Sequence, residues 1–165
     1  MADKTIIERL QPSLLDRLTD NESDQITERR EDRVIDVREL REIIQRDLGW
    51  LLNTNNAETI IDAEVYPNIA TSVLNYGVRD VTGDYSNMNK AEAIRRAISE
   101  AIETFEPRIL PGSVEVEMRL GKDASGAIIQ YDIHADMWAQ PLPMELYLRS
   151  EVDVTTGEFE LERVG

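Results

Sequence analysis

Apolar side chains recur with a helical period in the earlier part of the chain and with a strand period in the later part. Two long stripes with spacings of three and four residues predict amphipathic helices. The first runs from an Asp36 cap to about residue 52, and the second from an Asn89 cap to Phe105, because Pro107 disfavours helical geometry at the residue before it. The predicted buried positions are Val37, Leu40, Ile43, Ile44, Leu48, Leu51 and Leu52, then Ala91, Ile94, Ile98, Ala101, Ile102 and Phe105.

The N-terminal region carries one short amphipathic element. Ser13 and Asp16 have the spacing of a capping box. A helix this short is unstable alone in water, so we expect Leu14, Leu15 and Leu18 to form a docking peptide. Residues 19–36 are almost wholly polar and charged, which is typical of a linker. The sequence therefore predicts a docking peptide and charged linker over 1–36 and a single domain over 37–165.

A further short helix is predicted between the two long ones. Pro67 suits a first helical position, and Ile69, Val73 and Leu74 would form the buried side. Gly77 would end this helix in a left-handed conformation.

From Ser113 onward the hydrophobic period changes to two, which predicts four strands joined by turns. Helices followed by an antiparallel sheet make an α+β fold, with the N-terminal helices packed on one face of a four-stranded, mainly antiparallel C-terminal sheet. The predicted inward side chains are Val114, Val116, Met118, Leu120, Ile129, Tyr131, Ile133, Ala135, Met137, Leu146, Leu148, Val152, Val154, Phe159 and Leu161.

Composition and charge exclude several classes of function. The 165 residues hold 33 Asp and Glu against 18 Lys and Arg, a net charge of −15, which repels nucleic acid. With no Cys, thiol catalysis and zinc–thiolate sites are absent. The single His, His134, alternates onto the solvent face and favours a surface role. We expect no metal and no cofactor, and no signal peptide or membrane insertion, because no apolar run approaches 18 residues.

The excess of acids is concentrated on the predicted outer face of the sheet. Like charges on neighbouring strands are destabilising, so this face predicts a basic partner. Its members are Glu115, Glu117, Arg119, Asp132, His134, Asp136, Glu145, Tyr147, Arg149, Glu151, Asp153, Glu158, Glu160 and Glu162.

The segment Glu106-Pro107-Arg108 lies at the predicted corner between the last helix and the sheet. Two interpretations are open: a local ion pair that fixes the turn, or a rigid pair of charges that another subunit recognises. A third, enzymatic alternative is a muramidase, a lysozyme-like glycoside hydrolase in which Glu106 acts with a nearby acid.

At this segment the sequence resembles the baseplate wedge family of contractile phage tails, some of whose members carry a lysozyme label, and within it the TssE subunits of type VI secretion systems. The resemblance rests on the Glu-Pro-Arg triplet and on the order and spacing of the segments 12–18, 46–53, 72–77, 105–111 and 138–143.

The resemblance implies a structural role and no enzyme activity. Glu106, Pro107 and Arg108 would join other wedge subunits of the TssF, TssG and TssK type. The sheet would accept strands of TssB- and TssC-type sheath subunits and so start sheath polymerisation, with the edge strand 158–164 receiving them. The implied location is cytoplasmic, at the baseplate beneath the inner membrane. The expected sheath-binding residues are Tyr147, Arg149, Glu151, Asp153, Glu158, Phe159, Glu160, Leu161 and Glu162.

Overall fold

The computed structural model describes residues 13–19, 35–62, 64–82, 88–119, 127–138 and 143–163. Most of the predicted linker, residues 20–34, lies outside them. The elements are α1 Leu14–Leu18, α2 Val37–Leu52, α3 Met88–Phe105, β1 Glu115–Arg119, β2 Ile128–Met137, β3 Met144–Asp153 and β4 Phe159–Arg163. Helices followed by a four-stranded sheet confirm the predicted α+β class.

The long helices bury the predicted stripes. At α2, the Asp36 side chain accepts a hydrogen bond from the Glu39 amide at 2.8 Å, as an N-cap should. Helix α3 ends at Phe105, as predicted, but it begins at Met88. The prediction that Asn89 caps this helix was therefore wrong, since Asn89 lies within its first turn. Polar residues that precede a helix favour a boundary without fixing it to one residue.

The predicted short helix after Pro67 is wrong. Only a three-residue 3-10 turn forms, at Val73–Asn75, and Val73 and Leu74 are 83% and 70% exposed. The Asn75 side chain donates to the Ala70 carbonyl and accepts from the Ala57 amide, at 3.1 Å each. These bonds fold the segment back on itself and compete with helix formation.

Gly77 has the positive φ that was predicted, at +116°, but it follows the 3-10 turn and ends no α-helix. A Cβ at this position would lie 2.1 Å from the Thr54 carbonyl oxygen. Only glycine lets the backbone come this close. The approach allows the Val78 amide to donate to Thr54 and the Val78 carbonyl to accept from Asn56, at 2.8 Å each.

The sheet has the order β1-β2-β3-β4, and every neighbouring pair is antiparallel. Its inner face packs against α2 and α3 in one core, to which Ile35, just before α2, also contributes. The alternation predicted from the sequence is confirmed for the described residues: residues such as Ile133 and Leu148 are buried, whereas Glu117 and Glu160 are exposed. The predicted inward residue Leu120 lies outside the described part of the chain. Side-chain burial therefore uses one face and leaves the acidic face to solvent.

Tyr131 connects β2, in the centre of the sheet, to α3 through a side-chain hydrogen bond. It is fully buried, and its hydroxyl donates to the Ala91 carbonyl of α3 at 2.8 Å. Burial is the main cause that raises the pKa of this phenol above its usual value of 10.0, and the charge of Glu92 adds to the effect.

Replacing this phenol tests the linkage between pH and stability. Because the folded-state pKa of Tyr131 is raised, its contribution to stability is present below about pH 10 and is lost as the pH rises above that, where the unfolded chain ionises first. We expect Tyr131→Phe to cost about 1 kcal/mol at pH 7, for one buried hydrogen bond, and to reduce the loss of stability above pH 10. Urea unfolding between pH 7 and 11 measures both effects.

The matched control is Tyr66→Phe, since Tyr66 is 57% exposed. An alkaline loss of stability that is the same in Tyr131→Phe as in the unmodified chain would contradict the assignment.

Candidate functional site

The Glu-Pro-Arg corner is a closed ion pair. The side chain of Glu106 is only 5% exposed and turns back onto Arg108. Its Oε1 accepts from the Arg108 amide at 3.0 Å and from Arg108 Nε at 2.7 Å, and its Oε2 accepts from Nη2 at 2.5 Å. Pro107 holds the backbone between the two residues. The interpretation as a local ion pair thus describes the geometry, and of the two charges only that of Arg108 reaches the surface, with its side chain 27% exposed.

Arg108 begins a chain of charges that crosses the surface to α1. Its Nη2 donates to Asp47 Oδ2 on α2 at 2.7 Å, and Asp47 Oδ1 accepts from Arg46 Nη2, also at 2.7 Å. Arg46 Nη1 then donates to Asp16 of α1 at 2.6 Å. Five residues from three parts of the sequence are therefore joined by charge-assisted hydrogen bonds, which are the stronger kind.

The pKa shifts follow from this chain. Burial by itself would lower the pKa of the Arg108 guanidinium, but hydrogen bonds and charge from Glu106 and Asp47 outweigh it and raise the pKa. The hydrogen bond from Arg46 is the main cause that lowers the pKa of Asp16. The arginines and Asp16 therefore stay charged across the neutral range, and Arg108 is held in one orientation.

A groove of about 360 Å³ lies beside the corner. Its walls are mainly apolar, and the edge-to-face pair of Tyr76 and Phe105, with ring centres 5.4 Å apart, forms part of them. The groove is lined by Ser13, Leu15, Asp47, Trp50, Leu51, Tyr76, Phe105, Glu106, Pro107 and Arg108.

Both tryptophans of the chain lie at this corner, and the sequence analysis did not single them out. Trp50 lines the groove at 50% exposure and stacks under the Arg46 guanidinium, 4.8 Å from the ring centre. Trp138 is 57% exposed, and its amide donates to the Arg108 carbonyl at 2.7 Å. The position of Trp50 outside the apolar stripe of its helix was a usable signal. Trp138 begins one of the segments that carry the resemblance, but only the fold shows that it lies at Arg108.

Helix α1 is placed at the same corner. Leu14 and Leu18 are 72% and 74% exposed, whereas Leu15 is 49% exposed and lines the groove. No residue of α1 is buried, and the ion pair between Asp16 and Arg46 connects it to α2, while Ser13 caps its first turn. The leucines are consequently available for the predicted docking role, which stays a prediction.

The muramidase alternative receives no support from the geometry. A glycoside hydrolase needs a carboxyl group free to protonate the departing sugar. Both oxygens of Glu106 are instead occupied by donors of Arg108, and the side chain is buried.

The outer face of the sheet presents most of the predicted sheath-binding side chains. Tyr147 stacks on His134, with ring centres 4.1 Å apart, and Arg149 pairs with Asp132 at 3.2 Å. Glu151 lies directly opposite Glu160. Two of the predicted residues face the other way, because Phe159 is buried in the core and Leu161 packs against it. The side chains of these two residues are therefore turned away from a partner on the outer face.

The described part of the chain contains no cluster of three or more acids or histidines that could hold a metal ion. None of its helices combines the length and the apolar character needed to cross a bilayer.

Replacing Arg108 measures the strength of the corner. Arg108→Met leaves the Glu106 carboxylate buried without its donors, so we expect a loss of about 2–4 kcal/mol, somewhat below a fully buried pair because Arg108 is partly exposed. The double variant Glu106→Leu with Arg108→Met removes both charges and should recover much of this loss. Urea unfolding of the two single variants and the double variant gives the coupling energy.

The control is Arg38→Met, which removes an exposed pair with Glu42 at side-chain exposures of 77% and 53%. It should cost less than about 0.5 kcal/mol. Equal losses for Arg108→Met and Arg38→Met would show that the corner ion pair stabilises the fold no more than an exposed ion pair does.

Comparison with known proteins agrees with the resemblance. A protein-family model described as baseplate wedge protein gp25 matches residues 38–142, which is more than half of the chain and includes α2, α3, the corner, β1 and β2. No curated protein and no solved structure gave a significant match. The chain belongs to the family of baseplate wedge protein gp25.

Proposed function

We propose that this chain is a structural wedge subunit of a type VI secretion baseplate or a closely related contractile injection machine. It joins wedge subunits of the TssF, TssG and TssK type through the corner, and it starts sheath assembly by TssB- and TssC-type subunits at its sheet. The membership of the baseplate wedge family supports a structural role. In this role the protein sits on the cytoplasmic side, beneath the inner membrane.

The observation that carries the proposal is the combination at the corner of a fixed cation with exposed aromatic rings. Arg108 is held by Glu106 and Asp47, so a partner that binds it orders no further side chain. Trp50 and Trp138 are half exposed beside it. Tryptophan and arginine are the residues that most often supply the binding energy of protein interfaces.

Glu106 has a different part in this interface. Its carboxylate is buried under Arg108, so it positions the guanidinium and leaves partner contact to Arg108 and Pro107. A substitution at Glu106 therefore changes both stability and binding, and the tryptophans make the cleaner test.

Trp138→Ala tests the corner as a docking surface. The side chain is 57% exposed, so we expect folding to be retained and the affinity for the wedge partners to fall about tenfold or more. Co-expression with the candidate wedge subunits, followed by size-exclusion chromatography and titration, measures this.

Tyr66→Ala is the matched control, because Tyr66 is also 57% exposed but lies in the segment between α2 and α3. A Trp138→Ala variant that co-purifies with the wedge subunits as well as this control does would rule out the corner as the site of joining.

The acidic outer face supports the second half of the proposal. Glu151 and Glu160 lie opposite each other on β3 and β4, and Glu160 is exposed with no bonded cation among the described residues. An opposite-charge pair across strands contributes about 0.2–1 kcal/mol relative to a pair of alanines, whereas a like-charge pair is destabilising. A basic segment from a sheath subunit would relieve this repulsion on binding.

Glu160→Lys tests the acidic outer face, because we expect it to raise stability and to weaken sheath binding. The new cation faces Glu151, so the free energy of unfolding should rise by a few tenths of a kcal/mol. Binding to the sheath subunits should weaken about fivefold at low salt, with a smaller difference at high salt. Glu58→Lys, which changes the charge equally at an exposed residue off the sheet, is the control. If Glu160→Lys binds the sheath subunits as well as the unmodified chain, the outer face is not part of the interface.

A further inference from the structure

The two edges of the sheet differ in how their backbone groups are satisfied. In an antiparallel pair, alternate residues bond to the neighbouring strand and the residues between them point their N–H and C=O groups outward. An edge strand thus offers a row of free donors and acceptors to any extended segment that comes close. Strand β1 and strand β4 are the two edges here.

The outward groups of β4 are largely occupied by helix α2. Asn53 donates from Nδ2 to the Phe159 carbonyl at 2.8 Å, and its Oδ1 accepts from the Phe159 amide at 2.9 Å. Gln45 donates from Nε2 to the Leu161 carbonyl at 2.9 Å. Two side chains of α2 thus act in place of a fifth strand and close this edge over most of its length.

The outward groups of β1 belong to Val116 and Met118. The Leu110 amide donates to the Asp136 carbonyl at 2.8 Å, which shows that Asp136 and its alternate neighbours in β2 bond on the β1 side. Their partners Glu115, Glu117 and Arg119 therefore bond to β2. The residues between them point their backbone groups away from the sheet.

Only one contact reaches these outward groups within the described residues. Arg95 Nη1 of α3 lies 3.5 Å from the Val116 carbonyl, at the limit of a hydrogen bond. The same guanidinium donates to the Glu92 carboxylate at 2.7 and 2.9 Å, so it contributes little hydrogen bonding to the β1 edge. Among the residues that the structure describes, β1 is accordingly the open edge.

The side chains beside β1 specify what an added strand should look like. Towards α3 the edge presents Val116, which is buried, and Met118, which is half-buried. Towards the outer face it presents Glu115 and Glu117, both exposed, and Arg119, whose Nη1 lies 3.9 Å from Asp132 Oδ2 of β2. An added strand would place apolar residues over α3 and basic residues beside these acids.

We propose that β1 is the docking edge for an extended segment of a partner that alternates apolar and basic residues. This rests on the proposed function and deepens it, since it moves the point of strand addition from β4, the edge expected from the sequence, to the opposite side of the sheet. The affinity comes from main-chain bonds and the selectivity from the alternating side chains.

The test uses the full chain and a synthetic nine-residue peptide that alternates Val and Lys. Met118→Pro removes one outward N–H without removing a bond to β2, a substitution that edge strands tolerate. Leu161→Pro is the matched control, because Leu161 is also a half-buried apolar residue with an outward N–H, on the edge that α2 closes. We expect the peptide to bind Met118→Pro about tenfold more weakly than the unmodified chain, and Leu161→Pro without change.

Hydrogen exchange of the unmodified chain keeps the test independent of how well the proline variants fold. Addition of the peptide should slow exchange at the Val116 and Met118 amides at least about tenfold and leave Leu161 unchanged. Protection that appears at Leu161, or at neither edge, would overturn the assignment to β1.

Sheath assembly in cells separates this inference from the proposed function. Folded Met118→Pro should enter the wedge complex and fail to start sheaths, while Leu161→Pro should start them. The reverse result would reject β1 and retain the sheath role. If both variants fold and start sheaths normally, strand addition at these two edges is rejected. The proposed nucleating role is rejected separately, by normal sheath formation in cells that lack the chain.

Discussion

A four-stranded sheet with strictly alternating side chains can bury one face only, and the rest of this structure depends on that constraint. The inner face carries the apolar residues and needs cover, which α2 and α3 provide with one stripe each. Because both helices lie on the same side, the acidic outer face is left to solvent. The surfaces that we propose for contacts with partners are then the outer face, the open edge and the corner where α3 turns into the sheet.

The corner shows how a buried charge is made compatible with an interface. Glu106 would be costly to bury alone, but three donors of Arg108 satisfy its oxygens. Asp47 accepts a second hydrogen bond from the same Nη2 of Arg108, and Arg46 extends the chain to α1. The result is a surface with little freedom left to lose on binding, next to two exposed tryptophans. Within the triplet, Glu106 thus positions the guanidinium, and Arg108 is the exposed end.

The sequence predicts the fold class, both long helices and the face of every strand, since burial follows period and the stripes are long. It fails where local hydrogen bonds decide the backbone. Ile69, Val73 and Leu74 have helical spacing, but the Asn75 side chain holds the segment in turns. It also fails for contacts between distant residues. Nothing local indicates that Asn53 satisfies Phe159 or that Trp138 lies at Arg108. The corner triplet was found from the sequence, but the inward turn of Glu106 required the fold.

The acids that flank the open edge also govern how copies of this chain behave towards each other. Two copies approaching edge to edge through β1 would bring Glu115 and Glu117 of one near the same carboxylates of the other, with a net charge of −15 on each chain. Like charges on adjacent strands oppose such pairing. The same acids that would attract a basic strand therefore oppose pairing of β1 with β1 of a second copy. Repulsion between these edges thus disfavours assembly of this chain with further copies of itself.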